Sequence, residues 1–194
     1  MDSAKAFRVT HPYPPHHPHL PYTGKHYYFL TFCADRRKRV FGESETVELV
    51  LAQFLRAAAD WRFEITAYCF MPDHVHALAY GLADEADCKR FIKGAKQYSA
   101  YYFRKRHGYQ LWQRYGFERV LRDDTETAFV IGYIITNPVR SGLVENPSEY
   151  PYLGSQRYTI PEMLQMCAQL DSTCFRLKAE ATRLNQQLDS TASA

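Results

Sequence analysis

The chain has 194 residues, of which 46% are hydrophobic and 23% charged, enough apolar material for one domain with an appendage and a core of its own. A formal net charge of only +3 means that any nucleic-acid partner must be argued from where the cations sit, not from their total. Five cysteines without Cys-x-x-Cys spacing, no signal peptide and no apolar run near the roughly 20 residues that span a bilayer argue against a disulfide scaffold or a membrane span, and for a reducing cytoplasm.

Residues 1–22 include the run from His11 to Pro21, too rich in proline to join a helix or a central strand. They are expected to form a flexible arm whose histidines are surface residues. From His26 to Cys33 the sequence is aromatic and β-favouring, which predicts a strand. Turn-like Ala34-Asp35 follows, and then the basic block Arg36-Arg37-Lys38-Arg39. Four successive cations are either a phosphate-contacting loop or merely a solvated one. Between Glu43 and Trp61, Val47, Val50, Leu51, Phe54, Leu55 and Ala58 recur at three and four positions, the spacing of an amphipathic helix.

Two strands are then predicted, Phe63 to Met71 and His74 to Gly81, joined by Pro72-Asp73 and therefore antiparallel neighbours. Successive side chains of a strand point to opposite faces, so His74 and His76 project together while Val75 and Ala77 face the other way. Two imidazoles so placed either ligate one metal ion or simply occupy a half-exposed strand. Cys69 lies close in sequence and would complete a zinc site, although its apolar surroundings suit a buried free thiol.

A second helix is predicted from about Ala86 to Arg106, with Phe91, Ile92, Ala95, Tyr98, Ser99, Tyr102 and Phe103 as its apolar stripe. Lys93, Lys96 and Arg104 belong to its basic remainder, which is either a DNA-backbone surface or a solvated face. Together with Arg36, Arg37, Lys38, Arg39, Arg114, Arg122 and Arg140 they form the candidate DNA contacts. Leu111 to Arg122 is expected to be a loop entering a further strand. Asp123-Asp124-Thr125-Glu126 opens a helix with acids where the macrodipole favours them, and that helix is expected to stop before Pro138. Tyr133 and Asn137, four apart, then share a helix face. Either a phenol and an amide point the same way, or the tyrosine packs and the asparagine caps. Asn146 to Tyr152 is expected to wrap back as a loop, and Pro161 to Leu188 to form one or two amphipathic helices, packed on the sheet in preference to covering a site.

Several of these segments, taken in order, resemble one family. Gly24-x-x-Tyr27-Tyr28-Phe29-x-Thr31, Met71-Pro72-Asp73-His74-Val75-His76, Leu111-Trp112-Gln113, Val120-Leu121-Arg122-Asp123 and Tyr133-Ile134-x-x-Asn137-Pro138-Val139-Arg140-x-Gly142-Leu143-Val144 look like the REP-associated tyrosine transposases, IS200-like members of the HUH single-tyrosine superfamily. The resemblance implies an α/β (α+β) ferredoxin-like domain, with a central antiparallel β-sheet flanked by helices, assigned to residues 23–155; beyond it the apolar spacing, not the resemblance, predicts a helical tail over 156–194. It also implies cleavage and rejoining of hairpin-bearing, REP-like single-stranded DNA through a 5′-phosphotyrosine. By the same resemblance Tyr133 is the nucleophile, His74 and His76 bind a divalent metal, Mg²⁺ or Mn²⁺, and Asn137 stands where relatives often place a glutamine as third ligand. A monomer is the favoured state. Two other readings stay open: a DNA-hairpin binder without cleavage, and a small zinc hydrolase using Cys69, His74 and His76.

Overall fold

The computed structural model describes residues 21–168 apart from Tyr115 and Arg122. The expectations of an arm up to residue 20 and of further helix after residue 168 therefore fall outside the described residues, as does the candidate contact Arg122. Pro21 and Tyr22, assigned to the arm, are seated on the domain: the Tyr28 hydroxyl donates to the Pro21 carbonyl and the Cys88 amide to that of Tyr22.

The elements in chain order are β1 (Tyr27–Cys33), α1 (Ser44–Asp60), β2 (Phe63–Met71), β3 (His74–Gly81), α2 (Cys88–His107), β4 (Phe117–Val120), α3 (Asp124–Arg140), β5 (Leu153–Gly154) and α4 over 160–168. The strands form one antiparallel sheet in the order β4-β1-β3-β2-β5. Its first four strands, with α1 and α2, make the β-α-β-β-α-β arrangement of the expected ferredoxin-like fold.

The two faces of the sheet follow from side-chain alternation. Tyr28, Leu30, Phe32, Val75, Ala79, Phe63, Ile65 and Phe70 point to the face covered by α1 and α2, where they join Val50, Phe54, Phe91 and Ala95 in the larger core. The intervening residues face α3 and α4, and a smaller core forms there from Cys69, Met71, Leu78, Ile131, Ile134, Ile135, Leu153 and Met163. Met163 is fully buried, so the start of the tail packs onto the sheet.

Three local features depart from expectation. Helix α3 does not stop before Pro138 but carries it in the last turn and ends at Arg140. A proline there forfeits one backbone hydrogen bond near an end that is already losing them, and closure comes from beyond it. The Gly142 amide donates to Val139 O and the Leu143 amide to Pro138 O, a Schellman closure that Gly142 permits by taking φ 67°. Asn146 to Tyr152 is the expected loop, but it leads into a strand outside the predicted elements: β5 pairs with the edge of β2 through Tyr68↔Gly154 and Cys69↔Leu153. Tyr102, assigned to the apolar stripe of α2, is exposed, because Phe91, Ala95, Ser99 and Phe103, each four apart, hold the buried line.

Candidate active site

The histidines sit at the start of β3, on the face shared with α3 and just beyond the end of the smaller core. Pairing fixes their neighbours: His74 lies opposite Cys33 and Met71, and His76 opposite Thr31 and Cys69. Their Nε2 atoms approach to 3.1 Å, and each ring is anchored through its other nitrogen. His74 Nδ1 donates to Asp73 Oδ1 at 2.6 Å, which leaves the lone pair on Nε2. His76 Nδ1 meets Thr31 Oγ1 at 2.8 Å. Burial lowers the protonation of both imidazoles, strongly enough in His76, with the nearby His74 and Arg37 adding to it, to bring it down to about 3. For His74 the Asp73 carboxylate opposes that drop without reversing it.

These features fit a divalent cation. Two imidazole nitrogens 3.1 Å apart are close enough for one cation to be held by both. Imidazoles that stay neutral, and whose outer nitrogens are fixed by a carboxylate and a hydroxyl, are already in the state that ligation requires. No third His, Cys, Asp or Glu completes a cluster with them among the described residues. Cys69, the proposed zinc ligand, is fully buried; its thiol lies 3.7 Å from Met71 Sδ, it does not line the cleft of the histidines, and burial pushes it up to about 12.

Tyr133 comes to this pair from α3. Its ring is 39% exposed and lies edge-on to His76, centroids 5.3 Å apart, with Phe29 against it at 5.9 Å. The Arg140 guanidinium sits over the same ring at 5.3 Å. All of them line a cleft of about 970 Å³ that also takes in Thr31, Cys33, Arg37, Arg119 and Phe129. Asn137 is not among the lining residues; it is buried and its Nδ2 donates to the Tyr133 carbonyl at 3.0 Å. Tyr98, Tyr101 and Tyr102 are carried by α2, which covers the opposite face of the sheet.

The cations divide. Arg37 and Arg140 open into the cleft, whereas Lys93 and Arg104 are exposed on α2. Arg37 is fixed by Asp73 Oδ2, 2.8 Å from its Nε, and by Cys33 Sγ, 2.7 Å from its Nη1. Arg36 and Arg37 both take left-handed backbone, φ 53° and 57°, an unfavourable conformation for arginine and one that occurs beside the cleft. Lys96 spends its ammonium inside the protein, donating to the carbonyls of Gln113 and Arg114. Arg36 and Arg114 are exposed, and Lys38 and Arg39 line a separate, smaller cavity. Sequence reasoning gave no role to Arg119, which pairs with Glu126 across the cleft wall, or to Thr31 and Phe129, which only the mutual approach of β1, β3, β4 and α3 makes neighbours, or to Asp73, which adjoins His74 in the chain.

Comparison with known proteins places these observations. A family described as "Transposase IS200 like" matches residues 22–134, more than half of the chain. A Haemophilus influenzae protein named as a candidate REP-associated tyrosine transposase is 26% identical over 151 residues, covering 68% of this chain and 80% of that one. The Escherichia coli REP-associated tyrosine transposase is 23% identical over 130 residues, covering 66% and 75%. The structure of a REP-associated tyrosine transposase bound to a REP hairpin superposes with a TM-score of 0.59 at 23% identity, over 69% of this chain and 79% of that one.

Proposed function

The chain belongs to the IS200-like transposase family, and from that premise we propose that it cleaves and rejoins hairpin-bearing, REP-like single-stranded DNA with Tyr133 as nucleophile. The observation that carries this reading is the contact between the Tyr133 and His76 rings, which joins the phenol of α3 to the imidazole pair of β3 in one open cleft. Held by His74 and His76, Mg²⁺ or Mn²⁺ would supply positive charge to the non-bridging oxygens of the scissile phosphate; Asn137, buried behind Tyr133, would have to turn its amide oxygen into the cleft to add a third donor.

The chain's own residues do the rest. Arg37 and Arg140 hold the phosphate in the cleft, and the fixed Arg37–Asp73 pair sets one of these cations in place before DNA arrives. The Tyr133 oxygen attacks phosphorus; the new phosphorus–oxygen bond forms as the bond to the 3′ oxygen breaks. The phenolic proton passes to water, the departing 3′ oxygen takes a proton from water to become a hydroxyl, and the 5′ phosphate remains on Tyr133. Reversal by another 3′ hydroxyl rejoins the strand without a nucleotide cofactor, because the phosphotyrosine conserves the bond. Work on cellular DNA would take place in the cytoplasm; among the described residues no helix is long and apolar enough to cross a membrane.

The test is trapping. A labelled hairpin strand incubated with the protein and Mg²⁺ or Mn²⁺ should yield a covalent adduct that mass spectrometry assigns to Tyr133. Tyr133→Phe should bind the strand and cut none of it. Cleavage that survives in Tyr133→Phe would overturn the assignment, and binding by the wild-type protein with no cleavage under either metal would favour the hairpin-binding reading.

A further inference from the structure

The basic turn after β1 faces two cavities. Arg37 opens into the cleft of Tyr133, whereas Lys38 and Arg39, the next two residues, line a separate cavity of about 190 Å³. Thr46 of α1 and Phe103 and His107 of α2 line the second cavity, so it lies on the side of the sheet away from the cleft, and the basic turn is the part of the chain that borders both. The walls of the second cavity are mixed in a way that a phosphate site is not. Lys38 and Arg39 are cationic, Glu43 is anionic, and the floor is aromatic: His107 stacks on Phe103 at 4.3 Å, and Tyr109 meets Phe103 edge-on at 5.2 Å.

Two details single this cavity out. The Nε2 of His107 is buried and has no hydrogen-bond partner, a condition that native structures rarely leave without cause. The Lys38 ammonium lies 4.1 Å from the centre of the Tyr109 ring, with no carboxylate paired to it among the described ion pairs. We propose that this cavity receives one unpaired nucleobase of the same DNA strand, held by its ring against Tyr109 and His107 and by its polar edge between Glu43 and the cations of Lys38 and Arg39. Every base has a ring face to stack and an edge with both donors and acceptors; a bare phosphate has neither the face nor any use for Glu43. The inference rests on the reading of single-stranded DNA as substrate, and it adds a place where the strand is gripped away from the bond that is cut.

The experiment uses the full-length protein and a labelled hairpin strand with unpaired flanks, together with a set in which each flank nucleotide in turn is replaced by an abasic unit. Wild-type protein should lose about tenfold in affinity at one flank position, the size of a stacking contact. Tyr109→Ala and His107→Gln should each bind the intact strand about tenfold more weakly and show no further loss at that same position, while losses at other positions remain. Thermal melting of both variants checks that the fold is retained, and Tyr109, in an exposed loop, is the safer of the two. Losses that simply add at every position, or variants that bind as tightly as wild type, would overturn the proposal. If wild-type protein fails to bind the intact strand at all, the DNA reading itself fails, a distinct result.

Discussion

Asp73 and His74 are consecutive, yet their side chains face each other at 2.6 Å, and the second carboxylate oxygen of Asp73 holds Arg37 at 2.8 Å. One carboxylate therefore sets both the tautomer of a proposed ligand and the position of a proposed phosphate-binding cation. Asp73→Asn keeps the shape and removes the charge. It should weaken Mn²⁺ affinity, measured by titration calorimetry, by about 10- to 100-fold, the usual effect of losing an outer partner of a ligating histidine. Unchanged affinity would show that His74 is oriented by packing alone.

The depressed protonation of His76 makes stability depend on pH with a definite sign. In the unfolded chain this imidazole titrates near 6.5, and in the fold burial holds it down to about 3. Between those values the unfolded state binds the extra proton, so the fold loses stability as pH falls below about 6.5, by up to roughly 1.4 kcal/mol per pH unit for one group. Above that range the effect vanishes. Urea unfolding of metal-free protein at pH 7 and pH 5 should show this loss, and His76→Gln should show less of it. Equal slopes for both proteins would assign the pH dependence to other groups.

Lys96 illustrates how charge on a helix misleads. Its spacing on α2 reads as part of a DNA-binding face, yet its ammonium donates to Gln113 O at 2.9 Å and Arg114 O at 3.1 Å, and burial lowers its protonation. It pins the loop that leads into β4. Lys96→Met, which preserves the stem, should cost about 1–3 kcal/mol in urea unfolding, as two hydrogen bonds from a charged donor are lost. It should leave the salt dependence of DNA binding unchanged; a shallower salt slope would return Lys96 to the phosphate contacts.

Most of the frame was legible because it is local. The two hairpin strands occupy the ranges their alternation predicts, and α1 and α2 begin and end within two residues of theirs. What escaped depends on distant partners. β5 is two residues long and exists only because the edge of β2 offers Tyr68 and Cys69 to Leu153 and Gly154. The end of α3 was misjudged because Pro138 is a strong local signal, overridden by the turn that Gly142 closes. Within the site, the His74 and His76 pair followed from a period of two, and Tyr133 was placed by resemblance. Thr31, Arg119 and Phe129 carry no signal of their own, since each becomes part of the cleft only when its strand or helix is laid beside β3.

Phe129 is the member of that group with the plainest consequence. It stands four residues before Tyr133 on α3, one helical turn away on the same face, and lines the same cleft while 51% exposed. A phenylalanine half in water contributes little to the core, but under the proposed function it would offer a ring face to the base next to the reacting phosphate. Phe129→Ala should therefore bind the hairpin strand about 5- to 20-fold more weakly, a partial stacking contact, while its melting temperature stays near that of wild type. Because the contact is to a base and not to the phosphate, single-turnover cleavage at saturating DNA should fall by much less than the affinity does. A variant that binds as well as wild type would mean that the ring meets no base, and a large drop in the saturated rate would mean that Phe129 acts by holding Tyr133 in place.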